Sequence, residues 1–252
     1  MLHYRKKRGV KCCGKHAKIE VLVTNFNDKN IMEVSAKTIE RLSLYRRALI
    51  NLKQQDKKYI FSHELGNILN LTAVQIRRDL MLIGCSSKLK KGYEVEELIA
   101  LIDKILDTDA GMNVAVIGMG NLGRALTTYF NNKREKLKIV AAFDADPNKI
   151  NQLQAGIPCY ALTELKTIID KEKIDIAMLT LPHAYVEDVA DKLMQAGIKG
   201  LVNYTSKPIK PIPGVYVEDI DMLTALEKVA FYVKSSIQAQ RYFLYEDEEP
   251  TF

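Results

Sequence analysis

Cysteine and histidine are scarce, with four of each in 252 residues. The cysteines are Cys12, Cys13, Cys85 and Cys159, with no C-x-x-C spacing and no paired histidines at ligand spacing. A structural zinc site needs four ligands at defined intervals, so no metal is expected, the cluster Cys12, Cys13 and His16 included. Cysteines in no disulfide framework point to a reducing compartment, and the cytoplasm is the expected location. Long apolar runs are also missing. None reaches the roughly 18–20 residues that cross a bilayer, which excludes a helical membrane anchor on this reading. No apolar segment follows the basic stretch Arg5, Lys6, Lys7, Arg8, so a secretory signal is not expected either.

What is there is unevenly charged. The net charge of +6 divides into a basic front and an acidic back. Residues 1–33 hold eight Lys/Arg and three Asp/Glu, residues 34–91 hold twelve and four, and residues 92–252 hold seventeen and twenty-four. A basic front suits a polyanion, because cations displace counterions from phosphates. Residues 1–33 are expected to be a flexible basic arm, or the product of a start codon assigned too early, since Met32 stands just before the first convincing helix.

That helix is predicted over about 35–54, with Ile39, Leu42, Tyr45, Leu49 and Leu52 as its apolar stripe and Arg41, Arg46, Arg47 and Lys53 largely off it. A short helix follows Ser62 as N-cap, with Leu65, Ile68 and Leu69 inward. Asn70-Leu71 turns the chain. Thr72-Ala73-Val74-Gln75 matches a capping box, in which Gln75 reaches back, and opens a third helix with Ile76, Leu80 and Ile83 on one side. Gln75, Arg77 and Arg78 are left to project. This is the pattern of a helix-turn-helix, whose second helix enters the major groove amino end first, so Thr72, Gln75, Arg77 and Arg78 are candidate DNA contacts. The basic loop 85–93, with Lys88, Lys90 and Lys91, is a candidate wing on the flanking phosphates. Another helix is expected over 94–106, and 107–111 reads as a linker.

From Met112 strands and helices alternate. Strands are predicted at 113–117, 138–143, 174–181, 198–203 and 215–217, and helices at 121–131, 162–172 and 185–196. Such spacing implies right-handed crossovers and a parallel sheet, hence an α/β unit of Rossmann type. Within it, Val114 to Ile117 runs into Gly118-Met119-Gly120-Asn121-Leu122-Gly123, a strand, glycine turn and helix start. The first glycine permits the turn, the second lets a pyrophosphate approach the backbone, and the third lets the helix pack on the sheet. The free amides of the helix start then face the phosphates. Phe143-Asp144 ends the next strand 21 residues past Gly123, where a carboxylate accepts from both ribose hydroxyls of an adenosine and repels a 2′-phosphate. NAD is therefore the expected cofactor, with Gly118, Met119, Gly120, Asn121, Leu122, Gly123 and Asp144 as its site. A last amphipathic helix is expected over about 220–242, before an acidic tail.

These segments together resemble the Rex family, the bacterial redox-sensing transcriptional repressors. The resemblance covers roughly 34–245, through Ala36 to Leu42, Thr72 to Leu80, the glycine turn, Phe143 to Pro147, Leu179 to Pro182 and Ala196 to Gly200. It implies a DNA-binding repressor that senses NADH/NAD⁺ and leaves its operator when NADH binds. It further implies a homodimer with the C-terminal helix swapped between protomers. The expected division is arm 1–33, winged-helix DNA-binding domain 34–108, Rossmann NAD(H)-binding domain 109–218, and swapped helix with acidic tail 219–252. By resemblance, Arg47, Tyr129 and Asp221 stand where a switch would join the DNA helix, the nucleotide helix and the swapped helix. The family's wing is glycine-rich with an arginine. Here Gly92-Tyr93 is kept and lysines replace the rest, which puts the wing contacts in question.

An NAD-dependent oxidoreductase of a small polar substrate is the alternative. Lys207-Pro208 is similar to the Lys-Pro of sugar oxidoreductases, and His183 follows Pro182 at a strand end. Only about 45 residues follow Lys207, too few for a substrate domain by ordinary size, so no catalytic residue is expected. A CoA-type nucleotide binder is a third reading, which Asp144 disfavours.

Overall fold

The computed structural model describes residues 18–21, 32–85, 91–131, 133–211 and 213–246. The chain forms two compact units, and the division falls between Gly111 and Met112.

In the first unit, β1 (Lys18–Val21) pairs antiparallel with β2 (Met32–Ser35), so a strand sits inside the segment read as an arm. Ser35 caps α1 (Ala36–Gln54) by accepting the Thr38 N–H at 3.2 Å. There follow β3 (Tyr59–Ile60), α2 (Ser62–Leu69), α3 (Ala73–Leu82), β4 (Tyr93–Glu94) and α4 (Val95–Leu106). β3 and β4 pair antiparallel and bracket the helix pair. The core draws Leu42, Tyr45 and Leu49 from α1, Leu65 from α2, Ile76 and Leu80 from α3, and Leu98 and Ile102 from α4.

Three local expectations are corrected. Phe61, not Ser62, is the N-cap of α2, with its N–H donating to Glu64 Oε2 at 2.8 Å. The inward seam of α2 runs Ser62, Leu65, Gly66, leaving Ile68 on the solvent side at 52% exposure. Arg46, read as lying off the stripe of α1, is buried, and its guanidinium meets Asp103 of α4 at 3.1 Å and Asp107 at 3.0 Å. A buried guanidinium needs such partners, and these two pin α1 to the end of α4.

The second unit runs β5 (Met112–Ile117), α5 (Asn121–Phe130), β6 (Leu137–Asp144), β7 (Leu153–Gln154), β8 (Ile157–Ala161), α6 (Leu165–Glu172), β9 (Ile174–Leu179), α7 (Val186–Gln195), β10 (Gly200–Asn203), β11 (Tyr216–Asp219) and α8 (Met222–Glu246). The sheet order is β11-β10-β9-β5-β6-β8-β7, parallel except for the β7–β8 pair. Counting the parallel strands in chain order, this is the doubly wound arrangement, and its order reverses between β5 and β9. β5 is apolar and buried from Val114 to Ile117 because both faces are covered there. Ala115 and Ile117 pack with α6 and α7, while Val114 and Val116 pack with Met119, Ala142 and Cys159. The strands β7 and β8 were not predicted. β8 is five residues long and carries Pro158, which hides it from a hydrophobic pattern.

Helix α8 leaves the sheet with the apolar residues of its first half in solvent. Leu223, Leu226, Val229 and Val233 are between 51% and 64% exposed. Among the described residues, no helix is long and apolar enough to cross a membrane.

Candidate nucleotide and DNA sites

The glycine turn lies where the sheet order reverses, at the carboxyl ends of β5 and β9, the crevice in which open α/β sheets bind ligands. Gly118 has φ +96°, and a Cβ there would stand 2.8 Å from the Thr180 carbonyl oxygen. Its N–H donates to the Phe143 carbonyl at 2.7 Å. Thr180 Oγ1 donates to the Gly118 carbonyl at 2.6 Å, so β6 and β9 both hold the turn. A Cβ on Gly123 would meet the Gly118 carbonyl oxygen at 2.0 Å, which forces glycine wherever α5 packs this closely.

Gly120 is different. Its backbone is extended, φ −73° and ψ −166°, and a Cβ there would meet no atom within 4 Å. Among the described residues, neither conformation nor packing requires glycine at 120. Gly120 is exposed at the N-cap of α5, whose first-turn amides have no partner inside the helix. Open space at a glycine beside such amides is what a diphosphate lying on the backbone needs. Asn121 is exposed and Leu122 half-buried beside it. The Met119 side chain is fully buried and its N–H donates to Asp144, so within the chain it braces the turn.

Asp144 ends β6 with its carboxylate directed at this turn. Oδ2 accepts the Met119 N–H at 2.7 Å and the Lys149 ammonium at 3.0 Å, and Oδ1 accepts the Asp146 N–H at 2.9 Å. Burial alone would raise its pKa, but the bonds from Asp146, Lys149 and Met119 outweigh that and hold it below the usual carboxylate value. Asp144 is thus an ionised acceptor at neutral pH. Cys159 is buried nearby. Burial first, then the charge of Asp144, pushes its thiol up to about 11, which leaves it protonated and unreactive.

In the DNA unit, Thr72 Oγ1 caps α3 by accepting the Gln75 N–H at 3.1 Å. The tight turn before it uses Asn70 in the left-handed region, φ 53°, and Gly66, where a Cβ would stand 2.5 Å from the Leu71 carbonyl oxygen. Gln75 does not project as expected. It is half-buried, and its side-chain amide turns from the cap to donate to Asp79 Oδ1 at 2.9 Å. Arg77 and Arg78 are exposed on α3, with Arg77 donating to Ser62 Oγ of α2 at 3.1 Å. Lys91 is exposed, while Lys88 and Lys90 lie outside the described residues.

Asp79 has a part that sequence reasoning missed. It is 3% exposed and accepts from Arg41 Nε at 2.6 Å, Arg41 Nη2 at 2.8 Å and Tyr45 Oη at 2.7 Å. This bidentate pair and hydroxyl fix α3 on α1 and so aim the exposed face of α3. The signal was an acid three residues after Ile76, on the buried side of the helix, where only a partnered charge belongs.

Residues 109–207 match a family described as "CoA binding domain", and residues 33–80 match one described as "Putative DNA-binding protein N-terminus". The redox-sensing transcriptional repressor Rex of Lactiplantibacillus plantarum is 38% identical over 197 residues, spanning 78% of this chain and 88% of that one. The Rex of Leuconostoc citreum is 36% identical, over 78% and 91%. The chain belongs to the Rex family. Among solved Rex structures, the Rex-family repressor RSP in complex with β-NAD⁺ and operator DNA superposes with TM-score 0.76 at 30% identity, covering 86% of this chain and 99% of that one. RSP in complex with β-NADH gives 0.71 at 31%, covering 83% and 98%.

The residues that Rex resemblance assigns to a switch fall in different units. Arg47 is exposed on α1 of the first unit. Tyr129, 55% exposed on α5, carries the Lys133 ammonium 3.5 Å over its ring. Asp221 caps α8, accepting the Thr224 N–H at 3.0 Å and its hydroxyl at 2.5 Å. Those bonds, the hydroxyl first, hold its pKa below the usual value.

Proposed function

We propose that this chain is a cytoplasmic, homodimeric DNA-binding repressor that senses NADH/NAD⁺ and releases operator DNA when NADH binds. One pairing carries the reading: a capped recognition helix with exposed Arg77 and Arg78, and a nucleotide turn whose middle glycine, Gly120, opens where an added Cβ would meet none of the described residues. The names of its relatives support it: RSP was crystallised with β-NAD⁺ and operator DNA and with β-NADH. The proposed domains are 34–108 for DNA, 109–218 for NAD(H) and 219–252 for dimer exchange, with 1–33 as an arm.

In this account the α5 amides around Gly120, Asn121 and Leu122 bind the diphosphate, and Asp144 accepts from the adenosine ribose. A carboxylate there disfavours phosphates on that ribose, which ranks NAD(H) above NADP(H) and above CoA. NAD(H) acts as an effector, and the chain as a sensor rather than a catalyst. His183 is exposed, and Lys207 is held by Glu187 at 3.0 Å, an ordinary surface pairing. On DNA, Arg77 and Arg78 face the groove, with Thr72 and Gln75 beside them at the amino end of α3. Lys88, Lys90 and Lys91 act on phosphates as point charges. Asp221 can bond either a tyrosine hydroxyl or a guanidinium, so Tyr129 and Arg47 give it two discrete alternatives to Thr224.

The test separates the two sites. Asp144→Ala is expected to weaken NADH binding and leave DNA affinity without nucleotide intact. Arg77→Ala is expected to weaken DNA binding by about 1–3 kcal/mol and leave NADH affinity intact. Equal loss of both ligands in both variants would contradict the modular reading.

A further inference from the structure

The turn after β6 holds a charge that the nucleotide site so far leaves unused. The Lys149 ammonium lies 3.0 Å from Asp144 Oδ2 and 3.7 Å from Asp146 Oδ2. The root of this lysine is fixed. Its N–H donates to the Asp146 carbonyl at 3.0 Å, and the Asp146 carboxylate accepts the Asn148 N–H at 3.0 Å. Its side chain is 27% exposed, so the ammonium can leave along a flexible four-carbon stem without being stranded in the core.

The acceptor count at Asp144 gives this lysine its meaning. A carboxylate has about four acceptor directions. Met119 and Lys149 occupy Oδ2, and Asp146 occupies one direction of Oδ1. A ribose diol donates two O–H groups and needs a direction on each oxygen. Lys149 therefore stands on a position that the second hydroxyl requires. With a diol the ammonium moves aside into water. With a ribose phosphate it stays and pairs with the new anion, offsetting the repulsion from Asp144 and Asp146.

We propose that Lys149 is a specificity-determining residue, which sets how strongly the site rejects a phosphate on the adenosine ribose. This rests on the NAD(H) reading of the site. The measurement is NADH and NADPH binding to the full-length protein, followed by nucleotide fluorescence, for wild type, Lys149→Met and Lys149→Arg. The Met variant should raise the NADPH Kd about tenfold relative to the NADH Kd, while the NADH Kd changes less than about threefold. The Arg variant should keep the wild-type ratio. Rising salt should weaken NADPH binding more steeply than NADH binding in the wild type, and this difference should shrink in Lys149→Met. An unchanged NADPH/NADH ratio in the Met variant, with NADH still bound, would overturn the role of Lys149 alone. A wild type that binds no NADH would overturn the nucleotide reading and this assignment with it.

Discussion

Gly120 and Gly123 differ in what an added methyl group would meet, and that difference separates binding from folding. At Gly120 the methyl enters open space, so Gly120→Ala should change stability by less than about 1 kcal/mol while weakening NADH binding. At Gly123 it strikes the Gly118 carbonyl oxygen at 2.0 Å, so Gly123→Ala should cost about 1–3 kcal/mol of stability. Chemical denaturation beside nucleotide titration checks the pair, and a Gly120→Ala protein with full NADH affinity would contradict it. Asp79 makes a pH-dependent contribution. Burial would raise its pKa, but the bonds from Arg41, Tyr45 and Gln75 prevail and lower it from 3.8. A depressed folded value stabilises above the unfolded value, and that stability is lost as pH falls through the folded value below 3.8. Urea unfolding of Asp79→Asn should therefore show lower stability at pH 7 and a smaller further loss on acidification than wild type. The acid was legible in the sequence, but its partners were not. Arg41 and Asp79 lie 38 residues apart and meet only through helix packing.

At the scale of elements, legibility followed how local the constraint is. The turn at 118–123 was readable because strand, turn and helix are specified within a few consecutive residues. The bracing part of Met119 is not legible there, because its N–H partner, Asp144, lies 25 residues on. Gln75 was misjudged for the same reason: its side chain serves Asp79, and the cap is completed by Thr72 alone. Strand β8 escaped because Pro158 and short length mask a strand paired in parallel with β6. Helix α8 was foreseen, and the structure adds that the apolar positions from Met222 to Val233 remain in solvent within a single chain. A helix of 25 residues spans about 37 Å, long enough for the proposed exchange between protomers. Leu226→Asp with Val229→Asp should shift the protein toward monomer in sedimentation equilibrium, because charges on a buried apolar seam oppose association. An unchanged dimer would place the interface elsewhere.

For the molecule as a whole, the proposed function requires coupling between a nucleotide unit and a DNA unit. Each unit was legible from its own pattern. The coupling proposed between them was not, because the proposed switch residues Arg47, Tyr129 and Asp221 lie far apart in the sequence and no local pattern pairs them. A tenfold change in DNA affinity corresponds to about 1.4 kcal/mol, within reach of one exchanged charge-assisted hydrogen bond. Reciprocity requires that operator DNA weaken NADH binding by the same factor. The most direct measurement is fluorescence anisotropy of a labelled fragment from the protein's own upstream region, titrated with protein at fixed salt, without nucleotide, with NAD⁺ and with NADH. The account predicts tight binding without nucleotide and with NAD⁺, and affinity lowered about tenfold or more by NADH. Equal DNA affinity in all three conditions, with NADH demonstrably bound, would contradict it.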